Sequence, residues 1–375
     1  MEERVSLWRG IRPLVGTVVG VGFFGLPFVF AQAGYWVAFL ELIVLVAVQI
    51  LFLGMYADLA LAKKGHARFL HIIGDAFGPL GKLLVALSFF GTLWGAMIAY
   101  LIAGGEFLSY VTKSWFSLSS STLSVAFGVF CMLLLLGGPL VVRNVQKYLV
   151  PFFLLTVGVL CVGALPVVNF AHFTFVSWSE WVLPLGVILF SLSAISAVPE
   201  MRDALRGNGV RLHRAIFLGM CLVALVYALF TAVVVGITGS GTPSQAIAAF
   251  AGVAPWMVLL GSILGFTTVT TAYVHVGSAL INTLLYDFRV RYVSAWMLIG
   301  GVPFLAVLFG VHDIIGVLQY AGGVLGSLMS ILVLLAYEKA RRMHQLPGAA
   351  RVVSPVIVFG IFAVFFVMLV MTLRG

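Results

Sequence analysis

Charged residues and cysteines are both scarce in this chain, and each shortage narrows what it can be. Only 9% of its 375 residues are Asp, Glu, Lys or Arg, whereas 62% are hydrophobic. Soluble domains carry about 25% charged residues, so this composition excludes a globular protein that folds in water. The three cysteines, Cys131, Cys161 and Cys221, lie within apolar runs and show no disulfide or metal-site spacing, so we expect them to be packing residues.

Sequence signatures of enzymes are missing as well. The chain has no His-Glu-x-x-His motif and no phosphate-binding P-loop. No polar stretch is long enough for a soluble domain. We therefore expect a membrane protein that is not an enzyme, with no metal, no organic cofactor and no obligate protein partner.

Hydrophobic runs long enough to cross a bilayer recur along the whole chain. They predict an all-α polytopic membrane protein, with residues 1–375 forming a single transmembrane domain of eleven helices. The predicted spans are at about 11–33, 35–62, 80–111, 122–142, 148–169, 181–205, 210–238, 253–286, 292–310, 314–338 and 352–373.

The net charge of +9 is distributed as a membrane protein requires. With the N-terminus inside, all but two of the 21 lysines and arginines lie in predicted cytoplasmic connections or at the adjoining ends of spans; the exceptions are Lys113 and Arg374. Positive residues concentrate on the cytoplasmic side of membrane proteins. We therefore expect no nucleic-acid partner, a cytoplasmic-membrane location, a cytoplasmic N-terminus and an extracytoplasmic C-terminus.

The first predicted span contains residues that weaken a helix. Within the apolar segment 14–34 these are Gly16, Gly20, Gly22, Gly25 and Pro27. Inside a helix, glycine costs about 1 kcal/mol and proline about 3 kcal/mol relative to alanine. Unpaired backbone in a membrane is tolerated only where protein buries it or a polar cavity borders it. The segment predicts a broken span that meets a ligand; a cleaved signal peptide is the competing interpretation.

The sixth predicted span has a second interruption. Ser191, Ser193 and Ser196 offer the backbone local alternatives to helical hydrogen bonds. Pro199 lacks an N–H and suits the first turn of a new helix. We expect this span to break between Ser191 and Ser196 and to restart near Val198.

Broken spans five apart run in opposite directions, which is the pattern of a transporter with inverted repeats. The two five-helix halves would cover about 11–169 and 181–338, followed by one extra helix at 352–373. A ligand would bind between the two breaks near the bilayer midplane. Either break alone is also compatible with simple close packing or a kink.

Motifs at both breaks resemble those of the amino acid/auxin permease family. The first is GTVVGVGFFGLPF, which starts at Gly16, and the second runs from Phe190 to Met201. Tyr286-Asp287-Phe288 is also similar to that family. The resemblance covers nearly the whole chain. It implies a leucine-transporter-like 5+5 fold of the APC superfamily and secondary transport of amino acids.

Backbone groups freed at the breaks suit the two charges of an amino acid. Amides at the start of the outer half of span 1 would receive the carboxylate, aided by the helix dipole. These amides belong to Gly20, Val21, Gly22, Phe23, Phe24 and Gly25. Freed carbonyls in the sixth span would accept from the ammonium, around Phe190, Ser191, Leu192 and Ser193. The apolar surroundings favour a neutral amino acid, with large or aromatic ones among the candidates, although the phenyl groups are also compatible with plain packing.

A polar stripe on the eighth span points to ion coupling. Thr267, Thr271, His275, Ser278 and Asn282 fall within an arc of about 80° and should face the bundle interior. An ion path and helix–helix hydrogen bonding both explain such a stripe. The family resemblance implies a cation site at span-8 hydroxyls, matched here by Thr267, Thr270 and Thr271. Sodium-coupled members tend to carry asparagine where this chain has Gly16, so we favour H⁺ over Na⁺ as the coupling ion.

Proton coupling needs a titratable group inside the membrane. The candidates are Glu41, Glu106 and His275. The alternatives to a coupling role are that Glu106 lies in interfacial water and that His275 donates a hydrogen bond to a neighbouring helix. We expect a secondary active transporter that works by alternating access, ion-coupled or as an exchanger, with a sensor or a channel-like pore on the same fold as the alternative functions.

Overall fold

All the regular secondary structure described is helical, in a computed structural model that describes residues 6–63, 69–112, 118–137, 146–346 and 353–374. Within these ranges there is no strand, which confirms the all-α prediction. Lys113, residue 352 and the end of the predicted fourth span, residues 138–142, lie outside the described residues.

The helices are bounded as follows, in chain order: α1 (Trp8–Val18), α2 (Val21–Ala33), α3 (Tyr35–Ala62), α4 (Phe69–Ile73), α5 (Gly78–Thr112), α6 (Ser120–Leu136), α7 (Gln146–Ala164), α8 (Leu183–Ser191), α9 (Ala197–Ala204), α10 (Gly209–Thr238), α11 (Pro255–Asp287), α12 (Tyr292–Leu308), α13 (Ile314–Gln319), a π-helical segment (Tyr320–Gly326), α14 (Ser327–Arg342) and α15 (Pro355–Arg374). Short 3₁₀ turns lie at Gly74–Ala76, Leu165–Val167, Phe170–Thr174, Gly239–Gly241 and Ala246–Gly252.

Seven of the described helices are long and apolar enough to cross a membrane, counting α13 to α14 as one, and the bent pair α1 and α2 makes eight. The chain is therefore a multi-pass membrane protein. The prediction of eleven spans adds three shorter elements to these eight: α6, α12 and the pair formed by α8 and α9.

The first break lies at Val19 and Gly20, where the axes of α1 and α2 meet at 61°. Gly20 has an extended backbone, with φ −136° and ψ −155°. Pro27, in contrast, stays inside α2 and does not end it. The interruption therefore occurs within the predicted segment, and glycine rather than proline marks its position.

The second break separates α8, which ends at Ser191, from α9, which begins at Ala197. The residues between them form tight turns: the Ser193 amide donates to the Phe190 carbonyl, and the Ala197 amide donates to the Ala194 carbonyl. The predicted interruption is thus present, and the new helix begins one residue before the expected Val198.

The four half-helices pack on one another. α2 packs against α8, and α1 packs against both α9 and α10. Outside them, α5 packs along α11 and α6. The two breaks therefore lie side by side in the interior of the bundle.

Glycines on α5 allow the close approach of α6. A Cβ at Gly104 would overlap the ring of Phe127, and a Cβ at Gly105 would overlap backbone atoms of Ser124. The Ser124 hydroxyl donates across the interface to the Ile102 carbonyl at 3.3 Å. This contact therefore depends on the absence of side chains.

We predict that Gly105→Ala lowers the thermal unfolding temperature of the purified protein in detergent by several degrees, because overpacking a tight interface costs about 1–3 kcal/mol. Gly158→Ala is the control, since Gly158 lies inside α7 with no neighbouring atom within 4 Å of an added Cβ. It should leave the unfolding temperature unchanged or raise it. Equal decreases in both variants would contradict the packing argument.

Candidate functional site

A cavity of about 50 Å³ lies between the two breaks. Its walls come from both breaks and from α5, α11 and α14. Among its lining residues are Gly20, Gly22, Tyr100, Phe190, Ser193 and His275. A cavity of this size holds a few water-sized groups, so a larger ligand must widen it on binding.

Four of the ten predicted substrate-binding residues line this cavity: Gly20, Gly22, Phe190 and Ser193. The others are not among the lining residues: Val21, Phe23, Phe24, Gly25, Ser191 and Leu192. Because α2 turns by 100° per residue, successive positions cannot all face one side. The structure therefore divides the predicted set between the cavity wall and the layer behind it.

Phe23 and Phe24 are packed into the core of the bundle. The Phe23 ring stacks on Phe230, with centroids 4.1 Å apart, and the Phe24 ring meets the edge of Phe107 at 4.9 Å. Both phenyl groups are almost fully buried. Their side chains thus fill space behind the cavity, and Phe190 is the predicted phenyl group that borders it.

The close approach of the two breaks depends on Gly22. A Cβ at this position would overlap the Ser191 side chain and would lie 3.1 Å from its Cα atom. The Ser191 hydroxyl donates to the Val187 carbonyl at 2.7 Å, so it is held in place. Only glycine lets the start of α2 meet the end of α8 at this distance.

One buried hydroxyl connects the two breaks. The Tyr227 hydroxyl on α10 lies 2.9 Å from the Val18 carbonyl and 3.0 Å from the Ser191 carbonyl and donates to both. Val18 is the last residue of α1, and Ser191 is the last residue of α8. Tyr227 therefore supplies a donor to the backbone at both interruptions.

A second tyrosine lies at the cavity wall. Tyr100 on α5 is buried, and its hydroxyl oxygen is 3.4 Å from a Cβ built at Gly20. A phenolic hydroxyl both donates and accepts hydrogen bonds. Tyr100 thus adds a polar side chain beside the backbone of the first break.

Of the predicted coupling residues, His275 lines the cavity. Glu200, in the first turn of α9, interacts electrostatically with it. The three threonine hydroxyls instead donate to carbonyls of their own helix, at 2.9 Å for Thr267, 2.6 Å for Thr270 and 2.9 Å for Thr271. Such bonds are typical of Ser and Thr inside helices.

The two predicted glutamates lie away from the cavity wall. Glu41 lines a separate apolar groove together with Trp178 and Trp181. Glu106 lies beside Gln245 near the end of α5. The structure therefore brings His275, and neither glutamate, to the two breaks.

Residues 3–291 match the model of the family described as transmembrane amino acid transporter protein. The chain belongs to this family. Glutamine transporter 2 of Aliivibrio fischeri is similar to this chain, with 23% identity over 363 residues, covering 88% of this chain and 90% of that protein. This agrees with the resemblance found in the sequence motifs.

Among solved structures, the crystal structure of MhsT in complex with L-phenylalanine has the same fold. Its TM-score is 0.72 at 13% sequence identity, and the match covers 100% of this chain and 98% of that chain. The matched family and the relative from Aliivibrio fischeri are transporters rather than enzymes, which confirms the corresponding expectation.

Sequence reasoning missed the two tyrosines of this transporter. Tyr100 and Tyr227 stand alone in apolar runs, and nothing in their local pattern relates them to a distant break. The only available signal was a polar hydroxyl inside a predicted span, where such groups need a partner.

We predict that Tyr227→Phe destabilises the transporter, because it leaves two buried carbonyls without this donor, and an unsatisfied buried group costs about 1–3 kcal/mol. The variant should lower the thermal unfolding temperature and weaken amino acid binding. Tyr35→Phe is the matched control, since the Tyr35 hydroxyl donates to a single carbonyl, that of Ala228 at 3.2 Å. Similar decreases in unfolding temperature and in binding in the two variants would show that the Tyr227 hydrogen bonds to both breaks have no special role.

Proposed function

We propose that this chain is a secondary active transporter that moves a neutral amino acid across the cytoplasmic membrane by alternating access. The observation that carries the proposal is the cavity between two interrupted helices that pack on each other. Of the described residues that line it, none is Asp, Glu, Lys or Arg. An uncharged lining disfavours a substrate whose side chain carries a charge.

The proposed topology has eleven spans, with two oppositely oriented halves of five and one further helix. The pairing of α2 with α8 and of α1 with α9 supports related halves, because the interrupted helices of each half meet. A cytoplasmic N-terminus and an extracytoplasmic C-terminus are supported by the distribution of lysine and arginine.

The substrate carboxylate would bind at the start of α2. The first amides of a helix have no partner within it, and the helix dipole favours an anion there. Gly20 and Gly22 allow close approach, and the Tyr100 hydroxyl is available as a further donor. The ammonium would meet carbonyls freed between Phe190 and Ser193.

Two matched proteins support a neutral substrate. The relative from Aliivibrio fischeri is named for glutamine, and the solved structure of similar fold holds L-phenylalanine. Both amino acids have uncharged side chains, in agreement with the uncharged lining of the cavity here.

We further propose that transport is coupled to H⁺ through His275. Imidazole is the side chain that most readily changes charge near neutral pH, and this one lies at the cavity and interacts with Glu200. Movement of Glu200 with α9 would change the electrostatic environment of His275. Sodium is disfavoured because Gly16 supplies no side-chain oxygen at the position where sodium-coupled relatives tend to carry an asparagine.

We predict that His275→Gln abolishes proton-driven accumulation of amino acid in proteoliposomes but retains exchange in the absence of a gradient. Glu41→Gln and Glu106→Gln are the controls and should keep proton-driven accumulation. Accumulation by His275→Gln at the wild-type level, or accumulation driven by sodium alone, would refute the coupling proposal. Uptake that never saturates would instead identify a pore, and binding with no uptake would identify a sensor.

We predict that Gly22→Ala abolishes substrate binding while the protein still inserts into the membrane, because the added methyl group overlaps Ser191. Equilibrium binding of labelled amino acids to the purified protein measures the effect. Gly301→Ala, on α12 with no atom within 4 Å of an added Cβ, should bind normally. Adding Ser191→Gly to Gly22→Ala should restore part of the binding, and unchanged affinity in Gly22→Ala would contradict the site.

A further inference from the structure

A buried amide on α3 lacks a partner for its oxygen. Gln49 is 2% exposed, and its Oε1 atom makes no hydrogen bond within the part of the chain that the structure describes. An unsatisfied buried acceptor costs about 1–3 kcal/mol. A buried acceptor without a partner needs a physical explanation, and one explanation is that this amide oxygen binds a ligand.

Gln49 lines a second cavity of about 10 Å³, beside the one between the breaks. The two cavities share Thr92, Phe190, Ser193, Ile195 and Met329 in their walls. They therefore adjoin, so that a molecule held in the larger cavity can extend one group into the smaller one.

The polar atoms described in the smaller cavity are suited to accept hydrogen bonds. The Thr92 hydroxyl donates its proton to the Ser88 carbonyl at 2.8 Å, and the Ser330 hydroxyl donates to the Gly326 carbonyl at 2.8 Å. A hydroxyl whose proton is used still accepts through its oxygen. Together with Gln49 Oε1, the cavity offers acceptors that a donor can use.

The volume of the smaller cavity and the charge of its lining residues limit which donor group can bind there. A volume of about 10 Å³ admits roughly one water-sized group, so a small polar group needs far less widening of this cavity than a phenyl ring does. No acidic side chain is among the described residues that line either cavity, so a cationic group would be left uncompensated. A neutral N–H₂ or O–H group fits both conditions.

The far wall of this cavity is held by backbone contact. A Cβ added at Gly322, in the π-helical segment, would overlap the Gly186 carbonyl oxygen and would lie 2.8 Å from the Phe190 amide nitrogen. Any side chain at Gly322 would therefore push the segment away from α8. The contact fixes the distance from the π-helical segment to Phe190, and π-helical turns often occur at functional sites.

We propose that the cavity around Gln49 binds the neutral hydrogen-bond donor at the end of a polar substrate side chain, a carboxamide or a hydroxyl, and so selects polar over apolar amino acids. This inference rests on the proposed transport function. It also disfavours the large aromatic substrates that the apolar sequence around the breaks allowed.

The test compares glutamine with norleucine, which has a similar length and no side-chain donor, by equilibrium binding to the purified full-length transporter. Wild type should bind glutamine at least tenfold more tightly. Gln49→Met, which removes the acceptor at similar volume, should reduce this preference to about twofold while norleucine still binds. Ser262→Ala is the control, because the Ser262 hydroxyl is also buried and unpartnered in the described chain but lies outside both cavities.

Three results would overturn the inference: equal binding of glutamine and norleucine by wild type, an equal loss of both in Gln49→Met, or a Gln49→Met variant that loses only a sodium dependence of binding. If Gln49→Met does not fold, Thr92→Val removes a neighbouring acceptor, and an unchanged preference in that variant counts against the inference. Wild type that binds no amino acid would refute the proposed function itself, which is a distinguishable result.

Discussion

An interrupted helix inside a membrane leaves backbone groups that water cannot satisfy, and this constraint organises the whole bundle. Here the interruptions at Gly20 and after Ser191 are placed side by side, so that one hydroxyl, that of Tyr227, serves the carbonyls next to both. Because the two breaks must lie side by side, α2 packs on α8, and Gly22 carries no side chain at their contact. The cavity is the space that remains between the two breaks.

Local residue types allowed the breaks to be predicted from the sequence. Glycine clusters, hydroxyl residues and a proline weaken helices through their own backbone chemistry, and both predicted interruptions are present. The local sequence does not show whether Gly20 or Pro27 marks the interruption, because a proline is tolerated inside a helix where neighbouring helices satisfy the freed carbonyl. The eleven-span count stays a prediction, since α6, α12 and the α8–α9 pair are short.

The side chains of the site were less predictable, because their positions depend on how distant helices pack. Phe23 and Phe24 adjoin the first break in sequence but point into an aromatic cluster with Phe230 and Phe107. Conversely, Tyr100 and Tyr227 reach the breaks from other helices. Gln49 was visible only as one polar residue in an apolar run. Periodicity assigns residues to a helix face but does not say which neighbour that face meets.

The Tyr227 hydroxyl has a single proton for two carbonyls, and this has a mechanical consequence. While Val18 and Ser191 are both about 3 Å away, the proton is shared between them. Any rearrangement that separates α1 from α8 obliges it to remain with one partner and abandon the other. The carbonyl that loses this donor is then a buried acceptor without it, which costs about 1–3 kcal/mol. The shared proton therefore favours the arrangement in which the ends of α1 and α8 stay together.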